Sequence, residues 1–188
     1  MKGNFPACDA FTAPAEAGLS MDPQDPGNWT GGKVGLGELR GTKYGIAASA
    51  HPGVNIAALT PEMAAGIRQA QYWAPNSCDA LPAGLDLMVY DEDVNAGDAR
   101  SAKLLQQVLG LTQDGVIGQE TLAALVGRAA ADVVHGLADA QGAFYRSLPG
   151  FVHDGTGWMA RLERRLDAAL AMASTSTPVV PLASVKGA

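Results

Sequence analysis

The sequence predicts a mainly α-helical protein with one Gly/Pro-rich loop or small β-hairpin near its N-terminus. The 188 residues are 47% hydrophobic and 17% charged, a composition typical of a globular chain that buries a core. Apolar residues recur at helical spacing through most of the chain after about residue 60. Residues 20–45, in contrast, are dense in Gly, Pro, Asp and Asn, which favour turns.

In the first half of the chain, helices are predicted on both sides of this loop. Residues 5–16 favour a short helix, although Pro14 disturbs its end because proline lacks a backbone N–H. Thr60 and Pro61 are typical of a helix start, with an N-capping hydroxyl followed by proline at the first helical position. A helix is therefore expected over 61–73, and another from near Pro82 to near Gly97.

The second half predicts four more helices separated by short turns. Apolar stripes mark helices around 104–109, over 133–148 and over 158–170, and a turn at residues 113–118 (QDGVIG) precedes a helix from about Gln119. After about residue 173 the periodicity is lost, which indicates a tail. The shift from loop-rich to regular sequence near Gly97 predicts a first domain over 1–96, a second, helical domain over 97–173 packed on it, and a flexible tail over 174–188.

Charge and cysteine content restrict the function classes. A net charge of −6 argues against a nucleic-acid partner, which would need clustered Lys and Arg. The two cysteines, Cys8 and Cys78, cannot build a dense disulfide framework, so reduced thiols are expected. The N-terminus lacks the apolar run of a signal peptide, and no segment is long and apolar enough to span a membrane. We therefore expect synthesis in the cytoplasm.

Two acidic residues could supply the chemistry of glycoside hydrolysis. That reaction needs a carboxylic acid to protonate the leaving oxygen, and often a carboxylate opposite it. Glu16 and Asp25 are separated by eight residues of polar, turn-rich sequence, which can bring them to opposite walls of a groove. The alternative is that both are ordinary solvated surface acids, and the pair alone does not decide between the two.

Longer motifs surround these acids and continue through the first half of the chain. They are Glu16-Ala17-Gly18-Leu19, residues 22–32 (DPQDPGNWTGG), residues 42–46 (TKYGI), Tyr72-Trp73, Leu81-Pro82, Tyr90-Asp91 and residues 94–97 (VNAG). Together they resemble glycoside hydrolase family 108, the family of phage endolysins and secretion-activator muramidases, which is usually described by a Glu-Gly-Gly-Tyr motif. Ala17 stands in place of a glycine and Leu19 in place of the usual aromatic residue, so the contacts with the sugar are expected to differ. Residues 104–110, 114–118 and 121–125 are similar to peptidoglycan-binding modules.

The resemblance implies a lysozyme-like helical fold with Glu16 as the general acid. Asp25 and a loop threonine are implied to position water, as in the Glu-Asp-Thr arrangement of phage lysozymes. An inserted segment separates Thr30 from Thr42, so the choice between them stays open, with Thr42 favoured. The further residues that could contact sugar are Trp29, Thr30, Tyr44, Asp91 and Asn95. For Asp91 and Asn95, helix capping and local hydrogen bonding are comparable alternatives.

These observations together predict a peptidoglycan hydrolase that cleaves the β-1,4 bond between N-acetylmuramic acid and N-acetylglucosamine, as a phage or prophage endolysin. A lytic transglycosylase and a non-catalytic wall-binding or phage structural module are the alternatives. We expect a monomer that binds bacterial peptidoglycan, with no cofactor, no metal, no nucleic acid and no stable membrane association. We expect this enzyme to act in the periplasm or cell wall. Because a signal peptide is absent, we expect it to arrive there through holin-type or dedicated export.

Overall fold

The structure, a computed structural model, describes residues 1–13, 18–97 and 99–174. Helices dominate, and the one small sheet of these residues is a short hairpin, which confirms the predicted fold class. Glu16 and the predicted tail beyond Ser174 lie outside the described residues. The elements are α1 (Phe5–Thr12), β1 (Thr42–Lys43), β2 (Ile46–Ala47), α2 (Pro61–Arg68), α3 (Leu85–Ala96), α4 (Arg100–Leu109), α5 (Gln119–Ala124), α6 (Ala130–Ser147) and α7 (Phe151–Ser174).

The chain forms two compact units, which divide it within α1 and again near residue 71. Residues 9–71 are here called the loop unit, and residues 1–8 with those from 72 onward are called the helical unit. The boundary expected from the sequence near Gly97 falls inside the helical unit. There Gly97, at a φ of 61°, ends α3 in a turn, and α3 and α4 pack against each other. A functional division at residue 97 stays a prediction.

The loop unit contains a two-stranded antiparallel hairpin. Lys43 pairs with Ile46, and the connecting residues Tyr44 and Gly45 have φ angles of 52° and 76°. Two successive positive φ angles are what a type I′ hairpin turn requires. Ser20 pairs with Thr42 on the other side of β1. The predicted loop is therefore a series of turns joined by this hairpin and by the bridges Ser20–Thr42 and Trp29–Leu39.

A small apolar core lies beneath this hairpin. Ile46 and Ala48 from the hairpin meet apolar residues of the following segment and of α2. The start of α2 is as predicted, because Thr60 caps it by accepting a hydrogen bond from the Met63 N–H and Pro61 occupies its first turn. The buried members of the core are Ile46, Ala48, Ile56, Leu59 and Ala64, with Tyr44, Val54 and Ile67 packed on them.

The helical unit is built around α3. Residues 85–93 are all buried, and α3 packs on α4, α6 and α7, as a helix buried on every side must. Trp73 and Tyr90 stack edge to face, with 5.5 Å between ring centroids. The sequence predicted that α3 begins near Pro82, but it begins at Leu85. Gly84 precedes it with a φ of 85°, and a Cβ at this position would overlap the backbone carbonyl of Ala169. Only glycine fits at that position.

Both cysteines are reduced and buried in the helical unit, as expected. Burial raises the pKa of the Cys78 thiol, so this side chain stays protonated and unreactive. Within residues 1–13, 18–97 and 99–174, no helix combines the length and the apolar character needed to cross a bilayer.

Candidate active site

The predicted acid Glu16 lies between Ala13 and Gly18, outside the described residues. Its role is therefore a prediction from the sequence, and the structure describes the segments on either side of it. The segment after it, from Gly18 onward, belongs to the loop unit and carries Asp25. The other predicted residues divide between the two units: Trp29, Thr30, Thr42 and Tyr44 in the loop unit, and Asp91 and Asn95 in the helical unit.

Asp25 begins a short 3₁₀ helix over Pro26–Asn28. Its carboxylate accepts a hydrogen bond from the Gly27 N–H at 2.8 Å, and the side chain is exposed. The cap holds Asp25 at the start of this short helix, and its side chain remains exposed. This position is compatible with a base that orients water, and equally with a capping residue alone.

Asn28 is a buried residue that the sequence analysis did not select. Its side chain is fully buried, and its amide donates to the Asp22 carbonyl at 3.0 Å. The backbone carbonyl of Asn28 accepts hydrogen bonds from the backbone N–H groups of Arg40 and Gly41. Asn28 therefore ties the turn that carries Asp25 to the segment that leads into Thr42. Only its place among turn-forming residues could have indicated this role, because burial within a loop has no periodicity.

The two threonines have different surroundings. The Thr30 hydroxyl accepts a hydrogen bond from the Glu38 N–H at 2.9 Å, so it closes the inserted Gly-rich segment. A Cβ on Gly37 would overlap this hydroxyl, which explains a glycine at a φ of 81°. Thr42 is half-buried and pairs through its backbone with Ser20. Thr30 thus has a structural role in the loop, while a catalytic role for Thr42 stays a prediction.

Both loop aromatics are partly buried and anchored locally. The Trp29 indole N–H donates to the Pro23 carbonyl at 2.9 Å. Tyr44 occupies the hairpin turn, packs on the core of the loop unit, and lies 5.2 Å from the Lys43 ammonium, measured to the ring centroid. Each ring is therefore held in place by its neighbours, as a residue that stacks on a sugar must be.

A buried ion pair fixes the C-terminal half of α1 within the loop unit. The Arg68 guanidinium binds both Asp9 carboxylate oxygens, at 2.7 and 2.8 Å. It also donates to the Tyr44 carbonyl at 2.8 Å. Arg68 thus connects α2, the hairpin turn and the last turns of α1, the helix that precedes Glu16 in the sequence.

An open groove of about 470 Å³ lies on the loop unit. Leu19 and Met21, which follow Glu16 closely in the sequence, form part of one wall and are 41% and 42% exposed. Arg40 is its charged lining residue. This cleft is here called the loop groove, and it is lined by Leu19, Met21, Leu39, Arg40, Gly53, Asn55, Ile56 and Ala57.

In the helical unit, Asp91 has a structural role. Its carboxylate is fully buried and binds Arg161 at 2.6 Å and Arg165 at 2.9 Å. Asn95 is exposed and its amide donates to the Asp91 carbonyl one turn earlier. The Asn95 contact corresponds to the local alternative considered for it. The Asp91 carboxylate instead forms ion pairs with two arginines distant in the sequence, and because it is fully buried it is not open to a sugar.

The same ion-pair cluster includes four buried residues that the sequence analysis did not select. Arg165 binds Glu92 at 2.9 Å and also contacts Gln141. The Tyr145 hydroxyl donates a short hydrogen bond to Glu92, and burial raises the pKa of Tyr145 to about 12, so it stays a donor at neutral pH. The sequence signal was weak, because these residues appear as ordinary charged and polar positions of amphipathic helices.

The predicted wall-binding turn is also held by local contacts. The Asp114 carboxylate accepts hydrogen bonds from the Val116 N–H at 2.8 Å and from the Gln106 amide at 2.6 Å. Gln106 in turn accepts from the Gly115 N–H. Hydrogen bonding lowers the pKa of Asp114, with the Gln106 amide as the largest contribution. The turn therefore has a structural role as the connection between α4 and α5. Binding of peptidoglycan by this turn stays a prediction.

Comparison with known proteins identifies the family. The family described as Glycosyl hydrolase 108 matches residues 10–97. The solved structure of Brucella abortus SagA is similar at 35% sequence identity with a TM-score of 0.75, covering 94% of this chain and 99% of that chain. No curated protein gave a significant match. These similarities support a peptidoglycan hydrolase. The chain belongs to glycoside hydrolase family 108 and is a glycoside hydrolase.

Proposed function

We propose that this chain is an N-acetylmuramidase that cleaves the β-1,4 bond between N-acetylmuramic acid and N-acetylglucosamine in bacterial peptidoglycan. Family membership supports the reaction class, and the loop groove supports the site. The observation that carries the proposal is that Leu19, three residues after Glu16 in the chain, forms part of the groove wall. Three residues of extended chain span at most about 11 Å, and on this ground we propose the loop groove as the place where the acid acts.

In the proposed mechanism, Glu16 protonates the leaving glycosidic oxygen. Asp25 activates or positions a water molecule, and Thr42 helps to hold that water. If the two carboxyl groups are roughly 6.5–9.5 Å apart in the complex, a water fits between them and the anomeric configuration inverts. Without a contribution from Asp25, Glu16 alone could instead catalyse lytic transglycosylation, which yields a 1,6-anhydro product.

The cellular context is part of the same proposal. The enzyme acts on the wall, in the periplasm or from outside it, as a phage or prophage endolysin that is released by a holin or exported by a dedicated route. The segment 97–173 would add affinity for peptidoglycan. A preserved fold without catalysis, serving only to bind the wall, is the competing function.

The test compares the chain with its Glu16→Gln variant on purified peptidoglycan, followed by mass analysis of the released muropeptides. We expect new reducing ends at muramic acid with the parent chain, and a loss of at least about 100-fold in rate with the variant, because general acid catalysis contributes that much. Glu163→Gln, at an exposed position of α7, is the matched control and should retain full activity.

Each other outcome identifies a different function. Unchanged clearing by Glu16→Gln would show that Glu16 is not the acid. Anhydro-muramic ends would indicate transglycosylation, and new amino termini would indicate peptide or amide cleavage. Binding to the wall without any cleavage would support the non-catalytic function.

A further inference from the structure

The loop groove combines apolar and polar lining residues with one positively charged side chain. Leu19 and Met21 present exposed apolar side chains to it. Apolar surface of this kind suits the methyl groups of acetamido and lactyl substituents better than the hydroxyl-rich face of a plain sugar. Among the groove-lining residues, Arg40 is the one that carries a charge.

Arg40 is held in place and still accessible. Its Nη1 donates to the Pro52 carbonyl at 2.9 Å, and its Nε donates to the Glu38 carboxylate at 2.7 Å. Its backbone N–H is also bound, to the Asn28 carbonyl. The Arg40 side chain nevertheless remains 40% exposed. A guanidinium has five N–H donors in a planar fork, more than these described contacts use.

The ion pair with Glu38 does not prevent ligand binding. Glu38 is 70% exposed, and an ion pair at such an exposed position is weak because water and salt screen it. A ligand carboxylate that reaches Arg40 from the groove can therefore compete with Glu38 or share the guanidinium with it. Arginine is well suited to this task, because its fork matches the two oxygens of a carboxylate.

Because the protein has a net negative charge, a local positive charge matters for binding an acidic substrate. The chain carries a net charge of −6, so a negatively charged glycan is weakly repelled at long range. Recognition of an acidic substrate then depends on short-range contacts, and the groove provides one at Arg40.

From these contacts we infer that Arg40 binds a carboxylate on the lactyl branch of the muramyl residue, which gives the loop groove a preference for acidic over neutral amino sugars. This inference rests on the proposed muramidase function. The carboxylate has two sources: the lactyl group itself where no peptide is attached, and the stem peptide where one is.

Binding to the full chain measures this preference without depending on catalysis. The isotopically labelled chain is titrated with three probes: the neutral N-acetylglucosamine disaccharide, the N-acetylglucosamine–N-acetylmuramic acid disaccharide, and the latter with its stem peptide. We expect one or both acidic probes to bind about tenfold more tightly than the neutral one, as one charge-assisted hydrogen-bonded contact allows. The amide signals of Leu39, Arg40 and Gly53 should shift. The acidic probe that binds tightly identifies the source of the carboxylate.

Variants separate the role of Arg40 from general effects of charge and folding. Arg40→Gln should abolish the preference, so that acidic and neutral probes bind with about equal affinity. Arg40→Lys should retain part of the preference, because the charge remains without the planar fork. Glu38→Gln should increase acidic-probe affinity, because it removes the competing carboxylate. Lys33→Gln, an exposed cation of the same loop outside the groove lining, is the matched control and should leave the preference unchanged. Thermal melts establish that each variant is folded.

The inference is overturned if Arg40→Gln keeps the wild-type preference, if the three probes bind equally, or if none shifts the groove signals. These outcomes differ from failure of the muramidase proposal, which is read from the muropeptides. Reducing ends can appear while Arg40→Gln has no effect on binding, and the preference can exist in a chain that cleaves nothing.

Discussion

The two compact units are stabilised by different kinds of interaction. In the helical unit, α3 is surrounded by α4, α6 and α7, and residues 85–93 are all buried. In the loop unit the apolar core is small, and polar side chains bind the carbonyl groups of turns. Asn28 binds the Asp22 carbonyl, Trp29 binds that of Pro23, and Lys43 binds those of Ala57 and Leu59.

This difference shows how the loop unit keeps a defined shape with little regular secondary structure. Backbone carbonyls in turns receive no donor from a helix or sheet, and in the loop unit side chains donate to several of them. The same polar side chains then shape the loop groove, as Arg40 does by binding the Pro52 carbonyl. In the helical unit, side chains also bind backbone carbonyls, as Gln141 binds that of Met88, but the buried charged residues Asp91, Glu92 and Arg165 form ion pairs with one another. Substitutions should therefore have different consequences in the two units.

The largest effect is expected for Arg165→Met in the helical unit. Arg165 is fully buried between Asp91 and Glu92, so its removal leaves buried negative charge that is incompletely compensated. Breaking such a cluster from one side costs about 3–5 kcal/mol. We expect this loss in the free energy of unfolding by urea, with reduced hydrogen-exchange protection of α3.

Arg164→Met is the matched control, because Arg164 is the adjacent residue on α7 and is exposed. It should change stability by no more than about 0.5 kcal/mol. A similar loss from both variants would mean that general charge, and not the buried cluster, stabilises the helical unit.

A smaller effect is expected for Arg68→Met in the loop unit. The variant removes the bidentate partner of Asp9 and the donor to the Tyr44 carbonyl. Because Asp9 keeps slight exposure, at 8%, the cost should be near the lower end for buried pairs, about 3 kcal/mol. Hydrogen exchange should show the loss in the hairpin and in the last turn of α1, and wall-degrading activity should fall with it.

Two further variants refine this prediction. Arg68→Lys keeps the charge but cannot form the planar fork, so it should fall between Met and the parent chain. Lys33→Met removes an exposed cation of the same unit and should be close to neutral. Full stability of Arg68→Met would show that the small apolar core alone maintains the loop unit.

The helices were predicted from the sequence more closely than the structure of the loop, for a physical reason. Apolar periodicity reports how a helix buries one face, so α6 and α7 were placed near their observed positions. The turn over residues 113–118 likewise placed the start of α5 at Gln119, where it is observed. Thr60 and Pro61 likewise marked the start of α2. The start of α3 was misplaced by three residues, because the close contact between Gly84 and Ala169 is a tertiary constraint.

The candidate site was predicted mainly through motif resemblance. That resemblance gave Glu16, Asp25 and Thr42, but it could not reveal that Asn28 is buried or that Arg40 lines a groove. Both facts depend on contacts between segments 10 or more residues apart in a region without periodicity. Asp91, in contrast, was selected from the sequence as a residue that could contact sugar. Its burial between two arginines of α7 cannot be recognised in the local sequence.

The smallest effect is expected for Thr60→Ala, which tests whether local capping matters in a unit with so small a core. The Thr60 hydroxyl accepts the Met63 N–H at 3.3 Å, and losing an N-cap of this kind costs about 1 kcal/mol. Thr60→Ser keeps the hydroxyl and should keep most of the stability. Because Thr60 is exposed, no cavity arises in either variant, so urea unfolding compares the caps directly. Equal stability of the Ala and Ser variants would show that α2 is fixed by Arg68 and the apolar core, and that its cap contributes nothing.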